Sequence, residues 1–573
     1  MGKYLFLFSI SPVQSFISQA RKTRDLYAGS RLLSEVIKGL LRELEYKNVK
    51  IVFPADIDAD SLPNRFVLKI DANSDDEVLA MGKSLQMGFK RILENRFKEF
   101  WDKIKLQLSD ENDENKDTYL AQLLNVFDTY WASVELGDNY RSSYLELEKI
   151  HAATKNIKRF KQLNNGNGEQ GRKCSLCGER RAYFYGDYKL PAFTDKDLAV
   201  KILGSDILFV KNEVLCTVCA IKRFQGTGFP SVAEIALRAR IPETEIQKMP
   251  YNAELFYEEN LTEKYLEKNN IPVGKLPEIR RIRDKILEEK GISSSDLPKY
   301  YALIMFDGDN MGRLLAGEYL RDQGLIEEFH KELSKALSEN AKKAEEVIEG
   351  NRYGKTVYAG GDDFLGFVSL SALMQTLKGL HKAFKELVND RLQGYVRKKI
   401  TMSAGIVIAH YKTPLKTVLD WARRMEKEAK GSGRDAFAIA VLKHSGEIHK
   451  TVWKWNDDEV SNIERLEKIL EMLISKKFST NFIQTLEKEF LKLTHTDNPS
   501  YDKQFDTELK RLIARSYMNN SNKKDKKKEQ RESYELCNAF YIQIEKQPDD
   551  YFSLMRIVDF IARQLGGERW YGS

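Results

Sequence analysis

Apolar residues in this chain follow two spacings, and each spacing predicts a different kind of element. Short apolar runs predict strands at KYLFLFSI (3–10), VKIVF (49–53) and RFVLKI (65–70), whereas residues 15–44 have the spacing of an amphipathic helix. Long charged helices are predicted to follow, to about residue 145. Strands and helices in this alternation favour an α+β unit.

A similar order returns after residue 300. The predicted elements are the strand YYALIMF, helices to about 349, strands on both sides of residues 360–363, a helix over MQTLKGLHKAFKELVNDRL, the strand ITMSAGIVIAH, the helix TVLDWARRMEKEAK and the strand AFAIAVL, which closes the unit near 443. Residues 231–297 between the two units are mainly helical and charged. Beyond residue 455 the pattern predicts helices to the end.

The two units align as an internal duplication. When their apolar strands are matched, Ser9 lies opposite Asp307 and Asn64 opposite Asp362, a separation of 55 residues in both units. The first unit then lacks every carboxylate of the second: Ser9, Ser11, Asn64 and Arg65 stand where the second has Asp307, Asp309, Asp362 and Asp363. We therefore expect one active and one degenerate copy.

Acidic residues mark the strand ends of the second unit. Asp307 follows YYALIMF, and Asp362 and Asp363 lie in the turn of KTVYAGGDDFLGFV. If these strands are neighbours, the three carboxylates meet at one sheet edge, where they would raise one another's pKa unless a cation were present. Mg²⁺ or Mn²⁺ is the predicted cofactor, because carboxylates and phosphate oxygens are its preferred ligands and two such ions support phosphoryl transfer.

The surrounding residues favour a nucleotide. Side-chain-free Gly360 and Gly361 would allow a nucleotide to approach the backbone, and Lys430 and Arg434 after the helix of MEKEAKGSGRD could meet triphosphate oxygens. The connection after Asp307 supplies further predicted contacts, which are Gly308, Asn310 and Gly312. A lone GGDD turn is more often a structural hairpin, and Lys430 with Arg434 could simply be a basic helix end. The combination favours catalysis.

Four of the five cysteines form two C-x-x-C pairs, CSLC and CTVC, with 38 residues between them. Two such pairs predict a closed, structural Zn²⁺ site with Cys174, Cys177, Cys216 and Cys219 as ligands. A thioredoxin-like redox motif needs only one pair. Cys537 is predicted to be a small buried residue.

Composition excludes some classes of protein. The 573 residues are 42% apolar and 31% charged, which is typical of a globular chain of several domains, and no apolar run has the ~20 residues of a membrane span. The apolar start lacks the features of a signal peptide, so we expect a cytoplasmic protein. The net charge of +7 permits a nucleic-acid partner, for which 164–173 and the basic run 522–528 are candidate segments.

The second unit resembles the GGDEF/nucleotidyl-cyclase catalytic fold, with Asp363 where GGDEF proteins carry Glu. The whole chain resembles the large polymerase/cyclase subunit of type III-B (Cmr-type) CRISPR effector complexes, including LFLFSISPVQSFISQARKTRDLYAGSRLLSEV and LPNRF. Many members begin with an HD nuclease domain, but this chain contains no His-Asp dipeptide and starts at the first unit. The resemblance therefore implies a member without that nuclease.

The resemblance also implies an architecture. We expect an α+β multidomain protein with two ferredoxin-like cyclase/palm units, a zinc-stapled insertion and helical domains. The expected domains are a degenerate palm unit (1–150), a four-cysteine module with a helical domain (151–297), the GGDD palm domain (298–445) and a C-terminal helical domain (446–573).

The implied function is the synthesis of cyclic oligoadenylate from ATP, switched on by target RNA. Asp307, Asp362 and Asp363 would be catalytic, while Ser9, Asn64 and Arg65 of the degenerate copy would hold the acceptor nucleotide. Guide RNA, target RNA and other effector subunits, notably the small helical subunit and the guide-end capping subunit, are the implied partners. AMP transfer to S-adenosylmethionine and a non-catalytic RNA-binding scaffold are the alternatives.

Overall fold

Two β-sheets, one antiparallel and one mainly antiparallel, form the centres of the two duplicated units. The computed structural model describes residues 2–44, 49–105, 115–157, 170–186, 189, 199–202, 208–226, 228–350, 352–457, 460–478, 481–491, 501–518, 523–543 and 548–566. Residue 522 and most of the 164–173 segment lie outside these ranges, and so do the side chains of Lys523 and Lys524. Both predicted nucleic-acid segments therefore stay predictions.

The first sheet has four antiparallel strands in the order β2-β3-β1-β4. The strands are β1 (Gly2–Ser11), β2 (Val49–Phe53), β3 (Arg65–Ala72) and β4 (Asp128–Glu135). The apolar run Leu5–Phe8 of the central strand β1 is fully buried, with alternate residues facing the two sides of the sheet. A sheet covered on both sides explains why this strand is apolar almost throughout.

The second sheet has six strands in the order β13-β12-β11-β8-β10-β9. Its strands are β8 (Tyr300–Gly308), β9 (Gly354–Gly360), β10 (Asp363–Ser369), β11 (Met402–His410), β12 (Ala436–Leu442) and β13 (Ile448–Lys454). All pairs are antiparallel except β11 with β12. Because β8 lies between β10 and β11, the end of β8 is placed beside the turn that precedes β10.

Helices cover both sheets and build the remaining domains. They are α1 (Gln14–Ser18), α2 (Thr23–Leu44), α3 (Asp75–Lys105), α4 (Lys116–Leu124), α5 (Tyr140–Asn156), α6 (Thr217–Gln225), α7 (Val232–Leu237), α8 (Glu243–Ile246), α9 (Glu263–Lys268), α10 (Leu276–Lys290), α11 (Met311–Leu315), α12 (Ile326–Glu349), α13 (Leu373–Phe384), α14 (Leu415–Gly431), α15 (Asn462–Ile474), α16 (Phe482–Leu491), α17 (Tyr501–Ser516), α18 (Lys523–Gln543) and α19 (Pro548–Leu565). A π-helical turn at Lys385–Asp390 continues α13. None of the described helices is apolar and long enough for a membrane crossing.

The two sheets share the strand register that an internal duplication requires. Phe8 pairs with Phe66 in the first sheet and Phe306 pairs with Phe364 in the second, an offset of 298 residues for both partners. The rings stack in both places, with centroids 5.1 Å apart in the first pair and 4.9 Å in the second. The copies differ at the turn before the third strand: residues 54–64 link β2 to β3, whereas only Gly361 and Asp362 link β9 to β10.

Three elements differ from the sequence predictions. The predicted helix 15–44 is broken between Ser18 and Thr23 into α1 and α2. The predicted charged helices up to 145 are interrupted by β4, whose aromatic and β-branched residues pair with β1. The sheet continues beyond residue 443 with β13, which pairs with β12 and alternates exposed and buried residues.

The four-cysteine module follows the first unit in sequence and packs on the first sheet. Three short strands, β5 (Phe184–Tyr185), β6 (Val200–Lys201) and β7 (Val214–Leu215), form a small sheet, and α6 packs against α2. A further short pair, β14 (Asn456–Asp457) and β15 (Val460–Ser461), precedes the C-terminal helices. Cys537 is buried among those helices, as predicted.

Candidate functional site

A two-residue turn shapes the GGDD segment. Gly360 pairs with Asp363, so Gly361 and Asp362 form the turn, and Gly361 has a φ of +67°, which glycine adopts without strain. Gly361 is open to solvent, but the space beside Gly360 is filled by the Tyr358 hydroxyl, which donates a hydrogen bond to the Gly360 carbonyl oxygen at 3.0 Å. Both glycines line the cavity beside the turn, so the nucleotide contacts at Gly360 and Gly361 stay predictions.

The predicted carboxylates meet at the sheet edge. Asp307 ends β8, Asp362 lies in the turn and Asp363 begins β10, and one carboxylate oxygen of each lies within 4.8 Å of the others. The Gly308 N–H donates to the Asp362 carbonyl oxygen at 3.2 Å and thus ties the turn to the end of β8. The Gly308 N–H is used within the fold here, and the nucleotide contact of Gly308 stays a prediction.

The carboxylates resist ionisation together. Removal from water raises the pKa of Asp362 to about 7, and the charge of Asp363 adds to this effect. Removal from water and the charge of Glu426 raise the pKa of Asp363 to about 6, although solvent still reaches its exposed side chain and screens part of the effect. Carboxyl groups that keep their protons near neutral pH lack a nearby positive charge, and a bound cation would stabilise their ionised forms.

One lysine supplies part of that charge. The Lys430 ammonium contacts the Asp307 carboxylate and lies 2.6 Å from a Glu426 carboxylate oxygen, one helical turn earlier on α14. Sequence reasoning placed Lys430 against a triphosphate and missed Glu426 altogether. The spacing of Glu426 and Lys430, four residues apart on one helix, could have indicated from the sequence that the two side chains lie together. The Arg434 side chain is exposed and has no ion pair within the described residues.

A close approach of α14 to the sheet positions these two side chains. A Cβ atom at Gly405 of β11 would lie 2.3 Å from the Ala422 carbonyl oxygen and 2.4 Å from the Glu426 nitrogen. Only glycine allows α14 to lie so near the strand. The SAG sequence therefore determines how deeply Glu426 and Lys430 reach toward the carboxylates.

Asp309 has a structural place beside the site. Its buried carboxylate accepts hydrogen bonds from the Thr401 and Ser403 hydroxyls, both at 2.7 Å, and from the Asp435 N–H at 3.0 Å. Asp435 and Arg434 both have positive φ, so this anchor holds the turn after α14 in an unfavourable conformation. Asn310 also has positive φ. Gly312 is exposed, with open space where a Cβ would lie.

The first unit faces the site, but its predicted contact residues differ in their availability. Ser9 is fully buried and its hydroxyl lies 2.9 Å from His151 Nε2, so the nucleotide contact of Ser9 stays a prediction. Asn64 donates to the Ile10 carbonyl oxygen at 3.1 Å. Arg65 is ion-paired with Glu148, and its charge lowers the pKa of Asp362 in part.

A cleft separates the two units next to the turn. A cavity of about 320 Å³ lies between the 54–63 loop, α12 and Gly361. An ion pair between Lys342 and Asp56 at 2.6 Å bridges it. Burial and then the charge of Asp60 raise the pKa of Glu345 in this cleft to about 7. Residues of both copies of the duplicated unit therefore line this cleft, which lies next to the GGDD turn.

The four cysteines converge as predicted. One sulfur from each of Cys174, Cys177, Cys216 and Cys219 lies within 4.8 Å of the others, and the Cys177 and Cys216 sulfurs are 3.9 Å apart. Zn–S bonds of about 2.3 Å in a tetrahedron place sulfurs about 3.8 Å apart. Gly178, with a φ of +71°, turns the chain after Cys177. The donor set and its size fit Zn²⁺, and three hard oxygen donors at the GGDD turn fit Mg²⁺ or Mn²⁺.

Family models match both units. A model described as Cas10/Cmr2, second palm domain, matches residues 300–438, and a model described as CRISPR-associated protein Cmr2, N-terminal, matches residues 5–60. The first match contains the complete carboxylate cluster. The second sheet, with its carboxylates at one edge, is thus a palm domain of the Cas10/Cmr2 class.

Whole-chain comparisons agree with these matches. The chain is 24% identical over 586 aligned positions to the CRISPR system Cmr subunit Cmr2 of Pyrococcus furiosus, and the alignment covers 82% of this chain and 64% of that relative. The fold is similar to a chain of type III-B Cmr-beta in its apo state, with a TM-score of 0.64, 15% identity and coverage of 91% of this chain and 78% of that one. For Cmr-beta bound to cognate target RNA the TM-score is 0.60, with 15% identity and coverage of 90% and 79%.

The two domain models and the Cmr2 relative together support a Cmr2-type subunit. This result confirms the resemblance stated from the sequence. The chain spans 64% of the length of the curated relative that it matches, which is less than two thirds.

Proposed function

We propose that this chain is a nucleotidyltransferase of a type III-B CRISPR effector complex, and that target RNA switches it on to convert ATP into cyclic oligoadenylate. The observation that carries the proposal is the convergence of Asp307, Asp362 and Asp363 beside the open backbone of Gly361. The first unit supports it by contrast, because the same register there carries no carboxylate.

The proposed reaction is an attack by the 3′-hydroxyl oxygen of one nucleotide on the α-phosphorus of ATP. The new O3′–P bond forms as the bond to the β-phosphate oxygen breaks, pyrophosphate leaves and the hydroxyl proton passes to solvent. A divalent cation held by the three aspartates would neutralise charge on the phosphoryl group. Lys430 balances Asp307 before nucleotide binds and lies near enough to pair with phosphate oxygens afterwards.

The two units would divide the work. The degenerate unit holds the acceptor through Arg65 and its neighbour Asn64, and the second unit holds the donor ATP and the cation. The charge of Arg65 at Asp362 supports this division. Guide RNA, target RNA and the other effector subunits are the proposed partners, and the four cysteines form a closed zinc site that maintains the shape of the insertion.

The test uses the purified complex with target RNA, ATP and Mg²⁺, with and without S-adenosylmethionine, and mass spectrometry of the products. We expect cyclic oligoadenylate only when target RNA is present. An adduct of AMP with S-adenosylmethionine would replace this function by the transfer reaction, and no product in any condition would favour a scaffold.

Two matched variants test the division of roles. Asp362→Asn should lower the rate by more than about 100-fold, since it removes a direct ligand and loss of even indirect ligand support costs about 10- to 100-fold. Asn64→Ala should mainly raise KM and keep most of kcat. Equal loss of kcat in both variants would contradict separate donor and acceptor units.

A further inference from the structure

A short ladder of two chain segments lies beside the palm sheet. Leu320 and Val396 form an isolated antiparallel bridge, and two backbone hydrogen bonds of 2.8 Å flank it, from the Arg321 N–H to the Tyr395 carbonyl oxygen and from the Arg397 N–H to the Tyr319 carbonyl oxygen. Leu320 and Val396 are buried. Arg321 and Arg397 are exposed, whereas Tyr319 and Tyr395 are half-buried at the margin of the palm core.

The outward side carries cations without ion-pair partners. Arg321, Arg397, Lys398 and Lys399 are exposed, and none of them forms an ion pair within the described residues. We call these four side chains, with Tyr319 and Tyr395, the basic ladder surface. The Arg321 Nε atom donates to the Val396 carbonyl oxygen at 2.9 Å, which orients the guanidinium and leaves its charge uncompensated.

Aromatic rings are interleaved with these cations. The Tyr319 ring has the Arg313 guanidinium and the Lys398 ammonium each 5.0 Å from its centroid. Among the nearby carboxylates, Glu318 pairs with Arg313 at 2.6 Å, Glu328 accepts a hydrogen bond from the Tyr395 hydroxyl at 2.6 Å, and Asp322 accepts one from the Gly324 N–H at 2.8 Å. The four cations outnumber the charges of Glu328 and Asp322, so the surface is positive.

The surface is continuous with the candidate site. Lys399 is two residues before Thr401, whose hydroxyl donates to the Asp309 carboxylate at 2.7 Å and whose carbonyl oxygen accepts from the Asp309 N–H at 2.8 Å. Asp309 in turn anchors the turn that contains Arg434. A chain of phosphates that leaves or passes the GGDD turn on this side would meet Arg434 and then the basic ladder surface.

We propose that the basic ladder surface binds single-stranded nucleic acid. Arg321 and Arg397 project from neighbouring segments about 5 Å apart, a spacing that suits one phosphate backbone better than two strands across a groove about 6 to 12 Å wide. Arginine forks and tyrosine rings together are the usual composition of surfaces for unpaired strands. The nucleic acid would be either an RNA that passes the site or a short oligonucleotide made there.

Fluorescence anisotropy of the full-length chain with a labelled 12-nucleotide single-stranded RNA, without ATP, tests the proposal. The variant Arg397→Ala/Lys398→Ala should bind at least 10-fold more weakly at low salt. The slope of the logarithm of the binding constant against the logarithm of the salt concentration should become shallower by about 1.4, or about 0.7 for each lost phosphate contact. The control Lys83→Ala/Lys90→Ala removes the same charge from exposed lysines of α3 that form no ion pair within the described ranges. It should bind as the wild type does.

Two further arms complete the test. A labelled three-nucleotide oligoadenylate that binds as tightly as the 12-mer would identify the site's own product as the ligand, whereas a need for the 12-mer would identify a passing RNA. The variant Arg397→Lys should recover most of the binding, which separates lost charge from lost folding. Equal binding by the ladder and control variants, or equal displacement of RNA by a 12-residue glutamate peptide, would overturn the proposal. These assays measure binding without catalysis, so they test the nucleic-acid surface even if the chain does not carry out the proposed reaction.

Discussion

Substitution of Arg223 by leucine should loosen the cysteine module from the first unit. The guanidinium on α6 is fully buried, 2.5 Å from an Asp25 carboxylate oxygen on α2 and 3.0 Å from one of Glu213. Without it, Asp25 keeps only the backbone N–H groups of Arg21 and Lys22 as bonded donors, whereas Glu213 still has Arg21 at 3.8 Å. Asp25 thus loses its bonded counter-charge and keeps only the more distant charge of Lys222, so the substitution should cost up to about 3 to 5 kcal/mol.

The loss of stability in the Arg223→Leu variant should depend on pH. Burial alone would raise the pKa of Asp25, but the charge and hydrogen bonds of Arg223 hold it below its usual range. In the wild type this group therefore stabilises the fold above an unfolded pKa of about 3.9. In the variant the folded pKa is raised instead, so stability is lost as pH rises above about 4. The variant should be most impaired at pH 7.5 and much less at pH 5.

Thermal melting at both pH values and hydrogen exchange of α2 and α6 are the measurements. For a unit of 150 to 250 residues, 3 to 5 kcal/mol corresponds to a Tm lower by roughly 6 to 20 °C. The double variant Arg223→Leu/Asp25→Leu removes both charges and should lose less than the single one. Equal losses in both variants, or a loss that does not change with pH, would refute the reasoning.

Three further predictions concern the metal sites and the helix that reaches the palm. Since the raised pKa of Asp362 penalises ionisation, the metal-free chain should lose thermal stability between pH 5 and 8, and Mg²⁺ should restore it in the wild type but not in Asp362→Asn. Elemental analysis should find one Zn²⁺ per chain, lost in Cys216→Ser and retained in Cys537→Ala. Gly405→Ala forces α14 outward and should abolish ATP turnover, whereas Gly394→Ala, with open space around it, should not; normal turnover in Gly405→Ala would contradict that role.

The meeting of the carboxylates was predictable in part. The apolar runs around Asp362 form a hairpin whose two-residue turn leaves little freedom in how β9 and β10 pair, whereas the pairing of β8 with β10 had to be assumed. The shared strand register of the two units was also predictable, since the 55-residue spacing repeats in both units.

Other features depend on long-range packing that no local pattern records. Glu426 reaches the site only because α14 crosses Gly405 closely, and Lys430 contacts Asp307 across 123 positions of sequence. The strand β4 was predicted as helix because only two of its eight residues are buried, so its apolar alternation is weak. The contact between Ser9 and His151 was equally hidden, because alignment with Asp307 does not reveal which side chain covers Ser9.

The repeated strand register has a genetic consequence. In a symmetric homodimer of one palm unit, any substitution would appear on both sides of the cleft, so a carboxylate could not be lost from one half and kept in the other. Tandem fusion removes that constraint, because each half is then encoded separately. The chain could exchange Asp for Ser at position 9 and lengthen the turn at 54–64 while Asp307 and the tight turn at Gly361 persisted in the other half.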